Sequence, residues 1–469
     1  MTRAESLAAF VDRVKFEDLS DAAVYRLKHN ILDTIGCALA AFSGKPIDAV
    51  REQLSEFETH GPCTLIGGAT GAPHMAAFHN GALVRYVDFM DNYIAKKQSG
   101  HPSDTFAAVL AASEYRNRSG KEFLTSLALA YGIFSFLLEH FPVQEKGYDH
   151  TVQLAIADAC GCSKSLGLTT AQCANAIAIT ATSVQGLVEV RSDYLSQWKG
   201  LASAFTAMDA VFATFLAMRG ITGPSEVFEG VRGLEAVIGE NLEVAWDKCD
   251  LNRITRTSLK TYNAEVHSQS AIEGMLELAS EYDLKAEDID KVDINIFRQA
   301  DTIIGHGSQA GHKKKVFSKE QADHSIFYLL AVAILDREVT PRQFTEERIM
   351  RRDVQELLQK VEAENKIRLG IFDAYTNAYP DELRCKITVS LKNGKTVSCE
   401  KKDYYGFFSR PMSWEDVVSK FEILASPYAD RDLRSNITET VFNLDKKNTK
   451  DLTGLLAQVK PPPIQTHNS

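Results

Sequence analysis

The densest gathering of groups able to move protons is Asp88-Phe-Met-Asp91-Asn92, followed by Ser99-Gly100-His101-Pro102-Ser103-Asp104. Two apolar helical stretches flank it, so acids, an imidazole and turn formers meet in one connection rather than along a solvated face. Pro102 stops the segment before it, and Ser103 or Asp104 can cap the helix that continues at Thr105, which would leave His101 on a fixed turn. The plainer alternative is that Asp88 and Asp104 only cap helices. A second imidazole, in Lys146-Gly147-Tyr148-Asp149-His150, stands at the start of another apolar helix. The helix dipole there disfavours its cation and keeps it usable as a base, although a lone histidine at such a place is more often structural.

Trp198-Lys199-Gly200 and Ser258-Leu259-Lys260 set lysines beside apolar or small neighbours. A buried ammonium is costly unless it meets an anion. Two such lysines with two histidines in one helical region point to a pocket that neutralises carboxylates. Among enzyme signatures, the phosphate-binding loop, the dinucleotide glycine fingerprint, the His-Glu-x-x-His zinc helix and the Gly-x-Ser-x-Gly elbow are all missing. Cofactor-free acid–base chemistry is what remains.

The bulk properties limit the classes further. A chain of 469 residues suggests two domains, and 45% hydrophobic with 24% charged residues is a globular composition. No apolar run is expected to cross a bilayer, and the opening MTRAESLAAFVDRVKF lacks a signal or transit pattern, so a soluble, cytoplasmic protein is expected. A net charge of -10 leaves no general attraction for nucleic acid, and Lys313-Lys314-Lys315 reads as a solvated loop. Eight cysteines are too sparse for a disulfide framework; Cys37, Cys160 and Cys173 lie in apolar helical patterns and read as small buried hydrophobes. Cys160 and Cys162 diverge on a helix and have no companion pair at ligand spacing, so no metal site is expected.

The elements that must hold these groups are mostly helices. Apolar residues recur at helical spacing to about residue 270, and Gln153–Leu166 and Leu201–Met218 are apolar over most of their circumference, as for helices enclosed by others. Past residue 284, Val292, Ile294 and Ile296 alternate as in a strand, and Cys385–Cys399 reads as a hairpin around Asn393-Gly394 with both turn residues at positive φ. Helical periodicity spans His324–Leu335 and Glu347–Val361, so this part is α+β. Ser413-Trp-Glu-Asp416 is a helix start. The expected layout is therefore mainly α: a helical domain over 1–270, an inserted, lid-like α+β domain over 271–405, helices returning to the first domain over 406–460, and a disordered tail at 461–469.

Read as a series, these motifs resemble the MmgE/PrpD family. Leu32-Asp-Thr-Ile-Gly-Cys37, Asn80-Gly81, Asp88-Phe-Met-Asp91 and Gly100-His-Pro-Ser-Asp104 match its N-terminal half. Gly147-Tyr-Asp-His150, Trp198-Lys-Gly200, Thr257-Ser-Leu-Lys260, Ala264-Glu-Val-His-Ser-Gln269, Ala322-Asp-His-Ser325 and Pro411-Met-Ser-Trp414 follow in the family's order. The resemblance implies metal-independent action on di- or tricarboxylates, as a homodimer with the active site between a helical and a lid-like domain. Carried over by motif, the catalytic residues would be His101, His150 and Asp88, and the substrate-binding residues Lys199, Lys260 and Asn92. The reaction expected first is dehydration of 2-methylcitrate or a related tricarboxylate by a hydro-lyase without cofactor. Decarboxylation of cis-aconitate or epimerisation of a dicarboxylate could use the same groups, and a non-catalytic polycarboxylate-binding protein is the alternative from another class. Which histidine is the base stays open. The family commonly has Thr at the position of Asn92, and Tyr404-Tyr-Gly-Phe-Phe-Ser-Arg410 departs from the Gly-His-Pro that commonly precedes Pro-Met-Ser in the dehydratases.

Overall fold

Local capping signals start the main helices where the apolar stripes begin. In the computed structural model, which describes all residues except 58–59, 193–194, 243–245, 247–248, 307–311, 365–372 and 465–469, the fold is mainly α and divides into two compact units. The first unit comprises Met1–Val190, Gly200–Thr257 and Ser413–Ser469; the second comprises Arg191–Lys199 and Ser258–Met412.

The principal helices of the first unit's opening segments are α1 (Asp21–Ala40), α2 (Pro73–Tyr86), α3 (Phe106–Tyr115), α4 (Gly120–His140), α5 (Thr151–Leu166) and α6 (Ala202–Met218). Ser20 caps α1, Ser119 with Glu122 forms a capping box on α4, and Pro73 opens α2 where a missing N–H has no partner to lose. By length and composition α4 could cross a membrane, contrary to the expectation from apolar runs. Nearly all of its residues are buried against the rest of the unit, however, as in a core helix. Helix α5 is enclosed as expected, with Cys160 and Cys162 fully buried. Helix α6 is not: Phe205 and Phe212 stand 41% and 52% exposed, an apolar stripe that periodicity cannot tell from a core face. The Cys173 thiol is pushed up to about 12 by burial, the behaviour of a small hydrophobe.

The second unit is built on a four-stranded sheet. Its strands are β1 (Ile289–Ile296), β2 (Val361–Glu364), β3 (Cys385–Leu391) and β4 (Thr396–Lys401), in the order β2-β1-β3-β4. β1 and β2 are parallel and the other pairs antiparallel. Ile289, Val292, Ile294 and Ile296 are buried, which is the alternation read from the sequence. Helix α7 (Gln269–Glu281) packs on β3 and β4, where Gly274 lets the Cys399 thiol reach its carbonyl at 3.3 Å. Helix α7 belongs to the second unit, whose main segment begins at Ser258. The β3–β4 turn also differs from expectation. Only Gly394 takes positive φ, and the loop closes through Gly394 N–H to the Leu391 carbonyl and Leu391 N–H to the Lys395 carbonyl.

Helix α8 (Ile326–Asp336) agrees with its periodicity, whereas 347–361 is not one helix. It breaks between Ile349 and Arg352, and Val361 already belongs to β2. Lys314 is half-buried, pairing with Glu362 at 2.6 Å over the Phe327 ring, so the basic run is only partly solvated. The chain re-enters the helical unit at Ser413, whose side chain and Asp416 form the expected box on α9 (Trp414–Ala425). Order continues past 461, since Arg51 donates to the Pro462 carbonyl at 2.9 Å; the remainder of the expected tail, 465–469, lies outside the described residues.

Candidate functional site

The helical unit holds four of the six residues singled out from sequence. Where α2 ends, Asp88 takes a left-handed φ of 59°, a conformation that costs a non-glycine residue about 1 kcal/mol or more and that packing must hold. Arg85, on the last turn of α2 and buried, forms an ion pair with Asp88, Nη1 to Oδ1 3.0 Å, and its Nε lies 4.0 Å from Asp104 Oδ2. A buried guanidinium between two buried carboxylates is a neutralising hub, since an unpaired charge there would be strongly destabilising. Sequence reasoning missed Arg85; the available signal was an arginine in the otherwise apolar Gly81–Tyr86.

Between Asp88 and Asp104 the chain forms a miniature ribbon, Tyr93–Ile94 paired with Ser99–Gly100. Tyr93 faces Gly100, so the next positions outward, Asn92 and His101, come together. His101 Nδ1 donates to the Asp91 carbonyl at 2.8 Å, while Asn92 Nδ2 lies farther off at 3.4 Å. That bond sets the tautomer and leaves Nε2 as the basic nitrogen, 3.9 Å from Asp88 Oδ1. The buried Asn92 amide oxygen accepts no hydrogen bond among the described residues. Neither Ser103 nor Asp104 caps a helix here; His101 itself precedes the short turn Pro102–Thr105, without a side-chain cap. Asp88, by contrast, stands in the left-handed position just past the C-cap Val87 of α2, as a helix-terminating residue does.

His150 occupies the N-cap of α5, as its motif suggested. Its ring is 6.0 Å from that of His101, at 70°. Both of its nitrogens face carboxylates, with Nδ1 3.2 Å from Asp149 Oδ1 and Nε2 3.8 Å from Asp104 Oδ2. The Phe134 ring packs edge-on against His150 at 6.2 Å and also fills the space beside Gly100, where a Cβ would lie 2.6 Å from Phe134 Cζ. Gly100→Ala should therefore push the ring against one histidine and the turn carrying the other. The expected result is a loss of about 1–3 kcal/mol in stability with a larger fall in turnover than in substrate affinity, checked by thermal melts and steady-state kinetics.

The second unit holds the two lysines. Lys199 is almost fully buried, and its ammonium lies 2.9 Å from Asp323 Oδ1 and 3.0 Å from His324 Nδ1. Lys319 donates to the other Asp323 oxygen at 2.8 Å. Burial pushes the Asp323 carboxyl up, but Lys199, Lys319 and His324 outweigh it and hold the group well below the usual carboxylate range. The anion that Lys199 needs is thus supplied first by the chain itself. Lys260 is fully buried and near Glu265, whose carboxyl feels burial upward but is held down by His267, His324 and Lys260. Glu265 Oε1 accepts from His267 Nδ1 at 2.7 Å, and His267 Nε2 meets the Tyr379 hydroxyl at 3.1 Å. Glu265, His267, Asp323 and His324 all sit in sequence motifs noted above, yet nothing in their spacing signalled that they would surround the lysines.

Comparison with known proteins identifies the family to which this helical unit with its carboxylate-backed histidine pair, and this α+β unit with its lysine–carboxylate cluster, belong. The MmgE/PrpD N-terminal domain matches residues 5–247 and the MmgE/PrpD C-terminal domain matches 262–446; the chain belongs to the MmgE/PrpD family. It is 26% identical to the cis-aconitate decarboxylase of Homo sapiens, over 99% of this chain and 96% of that protein. It is 25% identical to the 2-methylcitrate dehydratase of Escherichia coli K12, over 75% of each, and 24% identical to a probable 2-methylcitrate dehydratase of Saccharomyces cerevisiae, over 70% of this chain and 67% of that protein.

Proposed function

We propose that the chain is a lyase that dehydrates 2-methylcitrate or a related tricarboxylate by metal-free acid–base elimination. The observation that carries this reading is the pairing of two imidazoles in different settings. His101 has its tautomer fixed with Nε2 basic, whereas His150 has a carboxylate against each nitrogen. An elimination needs one group to take a carbon-bound proton and another to give a proton to the departing hydroxide. In the proposal His101 is the base and His150 the acid. Asp88 holds Arg85 and stabilises the imidazolium that forms when His101 Nε2 takes the proton, and Asn92 accepts a hydrogen bond from a substrate hydroxyl at its amide oxygen. Lys199 and Lys260 neutralise carboxylates and the enolate charge that develops beside them.

The alternative reaction is decarboxylation of cis-aconitate, favoured by the nearly full-length match to the human decarboxylase. The test incubates the purified, chelator-treated protein with 2-methylcitrate, citrate, cis-aconitate and iminodisuccinate, following unsaturated acids by ultraviolet absorbance and products by mass. Dehydration of a tricarboxylate supports the proposal, and loss of carbon dioxide from cis-aconitate supports the alternative. Binding without turnover of any of them returns the chain to a polycarboxylate-binding protein, and activity restored only by an added metal ion overturns the metal-free mechanism. We further propose a homodimer, for which the exposed Phe205 and Phe212 stripe of α6 supplies an apolar face. Sedimentation should give twice the chain mass, and Phe212→Glu should lower it toward one chain.

A further inference from the structure

Asp91 has no role in the reaction as proposed, yet it is fully buried at the centre of the loop that carries both Asp88 and His101. Its carboxylate accepts from three directions. Oδ1 takes the Ser103 N–H at 3.0 Å, Oδ2 takes Asn30 Nδ2 at 3.0 Å, and the Tyr131 hydroxyl adds a third hydrogen bond. Its main-chain carbonyl, meanwhile, receives His101 Nδ1–H. One residue therefore ties the entry of the loop to its exit on both sides of His101.

Neighbouring charges support the tie. Lys420, from α9, pairs with Asp33 at 2.7 Å, donates to the Phe89 carbonyl at 2.8 Å and rests 3.7 Å from the centre of the Phe89 ring. Asn30 is itself fixed by a bond to Thr257 Oγ1 at 2.9 Å. Asp91, the hydrogen-bond partner of His101, is thus tied to α1 and α4, and Phe89 of the same loop to α9.

We propose that Asp91 is a positioning residue for proton transfer, its ionised carboxylate closing the loop so that His101 presents Nε2 to the substrate. The inference rests on the reading of His101 as the base. The charged and titratable groups facing Asp91 among the described residues are Arg26 and Asp33 on α1 and Tyr131 on α4, with Lys420 behind Asp33. Burial pushes the Asp91 carboxyl up to about 7 against the pull of Ser103 and Tyr131, with Asp33 adding to the rise. The carboxylate is the form that accepts all three donors; a protonated carboxyl, still buried, must give up at least one of them, so the tie is complete only above that pH. Turnover should show an acid limb to which protonation of Asp91 contributes beside that of the proposed base, His101.

The experiment compares wild type with Asp91→Asn and Tyr131→Phe. In the wild type, ¹⁵N chemical shifts of His101 should report the Nδ1–H tautomer. Asp91→Asn turns one acceptor into a donor; it should mix the tautomers, lower kcat about 10–100-fold with little change in KM, and take the Asp91 contribution out of the acid limb. Tyr131→Phe deletes one donor to the carboxylate and should move the limb to higher pH by about 1 pH unit, which keeps the test available where Asp91→Asn does not fold. A folded Asp91→Asn protein with wild-type tautomer and kcat, or a limb unmoved in Tyr131→Phe, overturns the proposal. The base assignment fails separately, when His101→Asn retains turnover while the tautomer comparison still holds.

Discussion

Replacing His101 by Asn is expected to lower kcat by roughly 10²–10⁴-fold while leaving apparent substrate affinity nearly unchanged. Asparagine can keep a donor near the Asp91 carbonyl, which is 2.8 Å from Nδ1 in the wild type, but it offers no nitrogen able to take a proton at the place of Nε2. The fold should survive, because the ribbon Tyr93–Ile94 with Ser99–Gly100 is held by main-chain bonds and by Asp91, not by the imidazole. Stopped-flow turnover of the substrate identified by the assay, with circular dichroism as the folding control, decides the matter. A folded variant with kcat within a few-fold of wild type removes His101 from the chemistry.

The second large effect concerns the lysines. Lys199→Met and Lys260→Met are each expected to lower kcat/KM about a hundredfold, corresponding to 2–3 kcal/mol for one charge-assisted contact in a buried site, roughly by general magnitudes. The two should differ in stability. Lys199 belongs to the Asp323 cluster, so its loss leaves a buried carboxylate paired, among the described residues, with Lys319 and His324. Losing one partner of a buried pair costs up to about 3–5 kcal/mol where nothing else compensates, and Lys319 should keep the loss below that. The sign with pH follows from the depressed Asp323 carboxyl. Its stabilisation is fully present above the ordinary carboxylate value of about 4 and is lost as pH falls toward the lower folded-state value. In Lys199→Met that folded-state value rises, so the acid-sensitive part of the stability should shrink. Near-normal kcat/KM in both folded variants would leave the lysines as structural cations.

Much of this architecture is legible in the chain. Strand alternation at Val292–Ile296, the Ser413–Asp416 box and the enclosed α5 are local patterns whose periodicity survives folding. The proposed site residues His101 and His150 are legible because turn formers and a helix start isolate them in sequence, and folding places their rings 6.0 Å apart. What does not show is long-range. Arg85 looks like one more polar residue at a helix end until Asp104 arrives from the far side of the loop. The cluster of Lys199 with Asp323 joins residues 124 positions apart, and no local spacing encodes such a pair. The break within 347–361 was hidden because short helices and a following strand can share one helical-looking apolar pattern.

The reach of Lys420 to Asp33 and the Phe89 carbonyl has a consequence for how the enzyme comes into being. The two ends of the Phe89 contact are separated by 331 positions, so on the ribosome the loop bearing Asp88 and His101 emerges long before its anchor. At about 5–20 residues per second the nascent chain waits tens of seconds for that lysine. During that time the helices of the opening segments can assemble around α4, but the buried Asp33 carboxylate lacks its counter-ion. Activity should therefore mature late, only after the α9 helix has docked, and a chain released before it is made would carry every one of the proposed reactive residues without the cation that anchors their loop.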